Sequence, residues 1–346
     1  MKRPAGLLTS VALIVLASAA GAQECTYAEP AALNEGAQAE LSTIVNDVDG
    51  ITIAYLPMGT EFNYHIALGE GIADIAETRD DVDWFTLSPY SGSDLAGQMG
   101  MLQDVTSRPD VDAIILISFD ESALAPLVEE AVNAGKAVII INSDIPDFPT
   151  PVHGVVGVNQ RAVNHALADW AIEQAGGDAR NVGILDGEPG YLATERAGGF
   201  VDGIEGTNWE IVSRINGGWS VERGNTAAMD LMQAHPDVDV IYASNDYMAL
   251  GAVLAARALG RNDLTILGYD GDTGALEDIA AGGMTATSDT APVIMGRTAA
   301  CFVLSLLDGD TEGGYVNTQT RIVHAGNAVE VLQAPEDLFP APSREY

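Results

Sequence analysis

The residues best placed to do chemistry lie in VDVIYASNDYMALG, Val238 to Gly251, where an apolar run stops at a polar Ser-Asn-Asp corner and restarts with helical spacing. Val240, Ile241, Tyr242 and Ala243 form a short apolar run of the kind buried in a parallel sheet. Met248, Leu250, Val253 and Leu254 then begin a helix. Asn245 and Asp246 therefore stand at the carboxyl end of a strand, where ligands bind in open α/β sheets. A carboxamide and a carboxylate there can read hydroxyl groups. The simpler role for Ser244, Asn245 or Asp246 is to cap the following helix. Asp246 is assigned to the cap and Asn245 to the site.

Catalytic and metal signatures do not emerge from the rest of the chain. GEG at Gly69 to Gly71 lacks the third glycine of a dinucleotide loop, and neither a Walker lysine nor a G-x-S-x-G elbow occurs. The five histidines are scattered without zinc spacing. GYDGD, Gly268 to Asp272, offers two carboxylates where a calcium loop needs more oxygens at ordered spacing. A non-catalytic protein without metal or cofactor is expected.

The elements that must position these residues alternate regularly. Apolar runs at Ile51–Leu56, Trp84–Leu87, Ala113–Ser118, Ala137–Asn142, Val155–Val158, Val182–Leu185, Ile211–Ile215, Val238–Ala243 and Thr265–Tyr269 read as strands. Helix-sized segments separate most of them, among them Asn63–Thr78, Leu95–Thr106, Ala123–Ala134, Ala162–Ala175, Thr194–Glu205, Val221–Ala234 and Tyr247–Leu259. Strict βα alternation implies right-handed crossovers and parallel sheets covered by helices on both faces, an α/β fold. DIPDFPTPVHGVVG, Asp144 to Gly157, interrupts the middle with three prolines, so the alternation divides into two similar lobes. Residues before 47 and after about 331 show no β/α unit and read as outer arms.

Lys2 and Arg3, an apolar stretch around Leu13 to Leu16, and Ala20-Gly21-Ala22 make a secretory signal peptide over residues 1–22. Gln23 and Glu24 separate Cys25 from the cleavage point, which disfavours a lipid anchor. Removing Lys2 and Arg3 takes the formal charge from −35 to −37. That field repels nucleic acid and anionic lipid, and the dispersed acid fits a folded acidic surface. Cys25 and Cys301 are the two cysteines. An oxidising compartment would permit one disulfide, but the apolar helical setting of Cys301 favours a buried small hydrophobe.

The order LPMGTEFNYHIALGEG (Leu56 to Gly71), VDAIILIS, AGKAVIIINSD, ERAGGF, AHPDVDVIYASNDYMALG, ILGYDGD and MTATSDTAP covers nearly all of the mature chain. In this order and spacing the chain resembles the periplasmic sugar-binding proteins of the ribose-binding, type I class, the solute receptors of ABC importers. The resemblance implies two Rossmann-like lobes joined by three crossings, near Val156 to Asn159, Ser288 to Pro292 and Tyr315 to Arg321. By the same similarity the N-terminal lobe holds residues 47–156 plus 292–316, the C-terminal lobe 157–291 plus 317–330, and a C-terminal arm 331–346. The lobes close around one small ligand, and the importer's permease subunits recognise the closed pair. A chemoreceptor is a further candidate partner, nucleic acid is not, and a soluble periplasmic monomer is expected.

A sugar presents apolar faces and a rim of hydroxyls, so its site needs aromatic plates and fixed polar forks. In the family two aromatics of the first loop and one of the second lobe clamp the ring, and the matching positions here are Tyr64, His65 and Trp219. His65 departs from the usual aromatic and is a candidate hydrogen-bond donor. Arg196 in ERAGGF matches the family's arginine, whose planar guanidinium bridges adjacent hydroxyls. Asn245 matches its asparagine and Asp270 its aspartate. Asn142 falls where the family has a polar residue at the end of the fourth strand. Asp144 two residues on either reaches the ligand or opens the proline-rich turn. Phe62 stands where the family often has an asparagine, and Thr290, beside Asp289, where it often has a glutamine. These departures leave a pentose, hexose, inositol, linear polyol or non-sugar solute open. A LacI-type repressor shares the two-lobe core but needs a basic headpiece where this chain has its signal peptide, and a carbohydrate-processing enzyme is the remaining alternative.

Overall fold

The computed structural model describes residues 25–45, 50–89, 91–118, 120–145, 148–334 and 338. The expected signal peptide and most of the C-terminal arm lie outside the described residues. The first half alternates as the apolar runs require: β1 (Ile51–Leu56), α1 (Asn63–Ala76), β2 (Val82–Thr86), α2 (Leu95–Ser107), β3 (Ala113–Leu116), α3 (Glu121–Asn133), β4 (Ala137–Ile141) and β5 (Gly154–Gly157). The second continues with α4 (Gln160–Gln174), β6 (Arg180–Asp186), α5 (Tyr191–Ile204), β7 (Trp209–Asn216), α6 (Val221–Ala234), β8 (Val240–Ala243), α7 (Asp246–Leu259), β9 (Thr265–Asp270), α8 (Thr273–Ala280) and β10 (Ala286–Asp289). The chain ends in α9 (Pro292–Asp308), β11 (Gly314–Asn317), β12 (Arg321–His324) and α10 (Ala328–Val331).

Two six-stranded sheets result. One has the order β11-β5-β4-β3-β1-β2 and the other β12-β10-β9-β8-β6-β7. The first is parallel throughout, and in the second only β12 runs antiparallel, beside β10. β3 and β4 are wholly buried, as a parallel strand covered on both faces must be. Between the sheets the chain passes at 158–159, 290–291 and 318–320.

The second passage explains how α9 belongs with the first sheet although it follows ten elements of the second lobe, and α9 packs against α1. The two helices cross at two glycines. A Cβ on Gly71 would collide with the Val293 carbonyl oxygen, and one on Gly296 with that of Leu68. Gly71 of the GEG triplet therefore serves close helix packing.

Three strands near the C-terminus, β10 to β12, have no apolar run to mark them. β10 reads ATSD and is fully buried, with Thr287 and Asp289 held from neighbouring elements. Thr287 Oγ1 donates to Asp246 Oδ1 at 2.6 Å, and Asp289 Oδ2 accepts from Arg321 Nε at 2.7 Å. Hydrophobic periodicity cannot find a strand whose burial is polar. Among the described residues no helix is long and apolar enough to cross a membrane.

Cys301 is not a free small hydrophobe: Cys25 and Cys301 form a disulfide with Cα atoms 5.2 Å apart, a spacing that fits such a bond. The helical pattern around Cys301 is real, but it leaves one face for the N-terminal arm. Tyr27 packs edge-on against Phe302, with centroids 5.4 Å apart. Ala31 and Tyr315 exchange backbone hydrogen bonds of 2.8 and 2.7 Å, covering the otherwise open edge of β11. The bond closes a loop across 276 positions. Reducing it, or replacing Cys25 with serine, should lower unfolding stability by about 2–5 kcal/mol, read as a lower guanidinium midpoint. An unchanged midpoint would show that the clamped arm adds nothing.

Candidate functional site

The carboxyl ends of both sheets face one another, and a small cavity of about 60 Å³ lies between them, lined from both lobes. From the first lobe come Met58, Phe62, Tyr64, His65 and Asn142, and from the second Leu192, Arg196, Trp219, Asn245 and Asp270. Seven of the nine residues expected from the sequence are thus brought together, and Asp144 and Thr290 are not.

Arg196 is buried because it shares the inward stripe of α5 with Ala193, Ala197, Phe200 and Ile204. Its side chain is 4% exposed. Nε donates to Gln160 Oε1, and Nη1 to the Ser244 carbonyl and to Asp270 Oδ1, each at 3.0 Å. The guanidinium also lies over the Tyr269 ring, 4.0 Å from its centroid, and 5.6 Å from that of Trp219. Burial pushes the Asp270 carboxyl up to about 7, against the pull of Arg196. Among the described residues no protein group bonds Arg196 Nη2, Asp270 Oδ2 or Asn142 Nδ2. Donors and acceptors fixed on one side only are what a polyhydroxy rim requires.

The backbone is bent to present them. Among the described residues the non-glycine residues with positive φ are Asn142 (58°), Trp219 (61°), Asp270 (123°) and Ala291 (47°). Three of these line the cavity. Such conformations cost about 1–3 kcal/mol each and persist where the surroundings over-determine them. Gly187 contributes by omission, because a Cβ there would sit within the Trp219 ring.

On the first lobe, Tyr64 is 6% exposed, and its hydroxyl bonds Thr290 Oγ1 at 2.9 Å and Asn142 Oδ1 at 3.3 Å. Thr290 is fully buried and acts by holding Tyr64. His65 Nδ1 lies 2.7 Å from the Gly59 carbonyl oxygen, which can only accept, so Nδ1 carries the proton. Burial pulls the imidazole down to about 4, leaving it neutral. Its remaining nitrogen is therefore an acceptor, and the expected donor role is corrected. Phe62 packs edge-on against it, with centroids 5.2 Å apart.

The Ser-Asn-Asp corner divides its roles differently from the sequence expectation. Asn245 is the helix cap: its Oδ1 accepts from Met248 N at 3.0 Å while Nδ2 donates to the Trp219 carbonyl at 3.3 Å. It lines the cavity as well. Asp246 is the first residue of α7, fully buried, and caps nothing. Its Oδ2 accepts from Gly271 N and Asp272 N at 2.8 and 2.7 Å, fixing the turn that carries Asp270. Desolvation, followed by the nearby Asp270 charge, raises its carboxyl well above the ordinary range.

Asp144 faces Tyr191 and Gln160 outside the cavity. Met58, Phe62 and Leu192 were not expected as site residues, and their positions beside Tyr64 and the start of α5 were the available signal. Gln160 was also missed, and nothing in its sequence setting marks it.

The profile described as periplasmic binding protein domain matches residues 53–311. The D-ribose/D-allose-binding protein of Pseudomonas aeruginosa is 32% identical over 228 residues, covering 62% of this chain and 70% of that protein. The ribose import binding protein of Bacillus subtilis is 25% identical over 299 residues, covering 86% and 91%. Among solved structures, an ABC transporter solute binding protein from Mycobacterium smegmatis with bound glycerol is 25% identical, with a TM-score of 0.74 over 81% of this chain and 96% of that one. The myo-inositol binding protein of Caulobacter, bound to myo-inositol, is 25% identical, with a TM-score of 0.73 over 83% and 97%.

Replacing Asp246 with alanine strands three buried donors, Gly271 N, Asp272 N and Thr287 Oγ1. Stability should fall by about 3–5 kcal/mol in denaturant titrations. A loss under about 1 kcal/mol would show that the Asp270 turn stands without it.

Proposed function

As a member of the periplasmic binding protein family, this chain is a solute receptor rather than an enzyme, and we propose that its solute is a small neutral sugar or polyol. The buried Arg196–Asp270 pair carries this reading. With Asp270 ionised the two charges cancel, so a neutral solute leaves no buried charge unmatched, while the outward atoms offer N–H donors and a carboxylate acceptor to adjacent hydroxyls. Trp219, Phe62 and Met58 supply apolar surface for the faces of a ring or carbon chain. The relatives named for ribose, allose, glycerol and myo-inositol support the same class.

Closure of the lobes buries the solute, and the closed pair delivers it to the permease subunits of an ABC importer. The disulfide fits an exported protein. A soluble periplasmic monomer, released by cleavage after Ala22 and also readable by a chemoreceptor, completes the proposal.

A ligand that binds only the folded state raises the melting temperature. Purified protein screened against D-ribose, D-allose, myo-inositol, glycerol, amino acids and nucleosides should respond to a sugar or polyol. A response confined to amino acids or nucleosides would overturn the assignment. Arg196→Ala should weaken binding by about 100-fold or more while the protein still melts cooperatively. Arg196→Lys should recover little of it, because an ammonium cannot reproduce the planar fork.

A further inference from the structure

Asp144 does not reach the cavity, yet the lobes meet on it. It follows β4 of the first lobe, and both its carboxylate oxygens are held by the second. Oδ1 accepts from the Tyr191 hydroxyl at 2.7 Å, and Oδ2 from the Gln160 backbone N–H at 3.2 Å. Gln160 and Tyr191 are the first residues of α4 and α5, so one carboxylate docks at the N-termini of two adjacent helices, where a negative charge is favoured. Another bond between the lobes, Asn63 N to the Tyr247 hydroxyl, is longer at 3.4 Å.

Gln160 extends this contact into the site. Its side chain is fully buried, and its Oε1 accepts from Arg196 Nε at 3.0 Å and from the Tyr269 hydroxyl at 2.8 Å. The same residue thus grips Asp144 with its backbone and Arg196 with its side chain. It lies directly after the passage at 158–159 that joins the lobes.

We propose that Asp144, Tyr191 and Gln160 form a clasp that sets the balance between open and closed lobes, with Gln160 joining the clasp to Arg196. This rests on the reading of the chain as a receptor that closes on its solute. The clasp bonds form on closure whatever solute is bound, so they stabilise the closed state without selecting among solutes. Selectivity stays with the cavity, and Gln160 keeps Arg196 in its reading position as the clasp engages. Tyr191 and Asp144 are therefore positioning residues.

The test is Tyr191→Phe, which removes one hydroxyl. Cysteines introduced at exposed Asp104 on α2 and Asp230 on α6 accept spin labels, since Cys25 and Cys301 are bonded to each other. Pulsed electron resonance on the ligand-free protein should show a minor short-distance population that the variant loses. Dissociation of D-ribose, D-allose or myo-inositol should accelerate about 10-fold, with association and the ligand-free melting temperature nearly unchanged. Asp144→Asn, which keeps one acceptor, should fall between. Unchanged distances together with unchanged dissociation would overturn the clasp. Failure of all three solutes to bind, alongside a shifted distance distribution, would sink the sugar reading and leave the clasp standing.

Discussion

The ion pair between Arg196 and Asp270 is the constraint to which the surrounding structure answers. Two charges removed from water are expensive unless every remaining donor and acceptor is placed. The fold meets that demand from several directions: the Ser244 carbonyl at the end of β8, Gln160 at the start of α4, and the Tyr269 ring beneath the guanidinium. Asp270 is held at a φ of 123° by a turn that Asp246 anchors from inside the lobe. The strain at Asn142 and Trp219 belongs to the same arrangement, since all three residues sit where a strand ends at the cavity.

The charge of the molecule and the charge of its site are opposed in character. Fifty acidic residues against fifteen basic ones leave a strongly negative exterior. Within the cavity the ionised pair is balanced, and His65 is neutral. The outer field discourages anionic solutes at a distance, and the balanced interior gives an incoming cation no unpaired carboxylate. A neutral polyhydroxy solute meets neither barrier.

Much of the fold was legible because β3, β4 and β8 are apolar runs buried on both faces, and because α5 and α7 keep helical spacing behind them. β10 was not, since Thr287 and Asp289 are buried by hydrogen bonds rather than by hydrophobicity. The site was legible where a residue type is needed directly, as with Arg196, Asp270 and Trp219. It was misread where two polar neighbours share a corner: Asn245 caps the helix with one amide atom and faces the cavity, while Asp246 turns into the core. Spacing along the chain does not tell which of two adjacent side chains points inward. Asp144 and Thr290 were near the site in sequence but act on other residues, and Gln160 could be found only once α4 and α5 were seen to meet.

The most direct measurement is calorimetry of sugar binding to the wild-type receptor at pH 7 in buffers of different ionisation enthalpy. Burial raises the Asp270 carboxyl to about 7 before binding, so part of the population carries its proton at that pH. A solute hydroxyl donating to the carboxylate favours the ionised form, so binding should release a fraction of a proton, and Asp270→Asn should abolish that release. A wild-type enthalpy independent of buffer, or proton uptake on binding, would contradict the reading of this pair as the acceptor of the solute's hydroxyls.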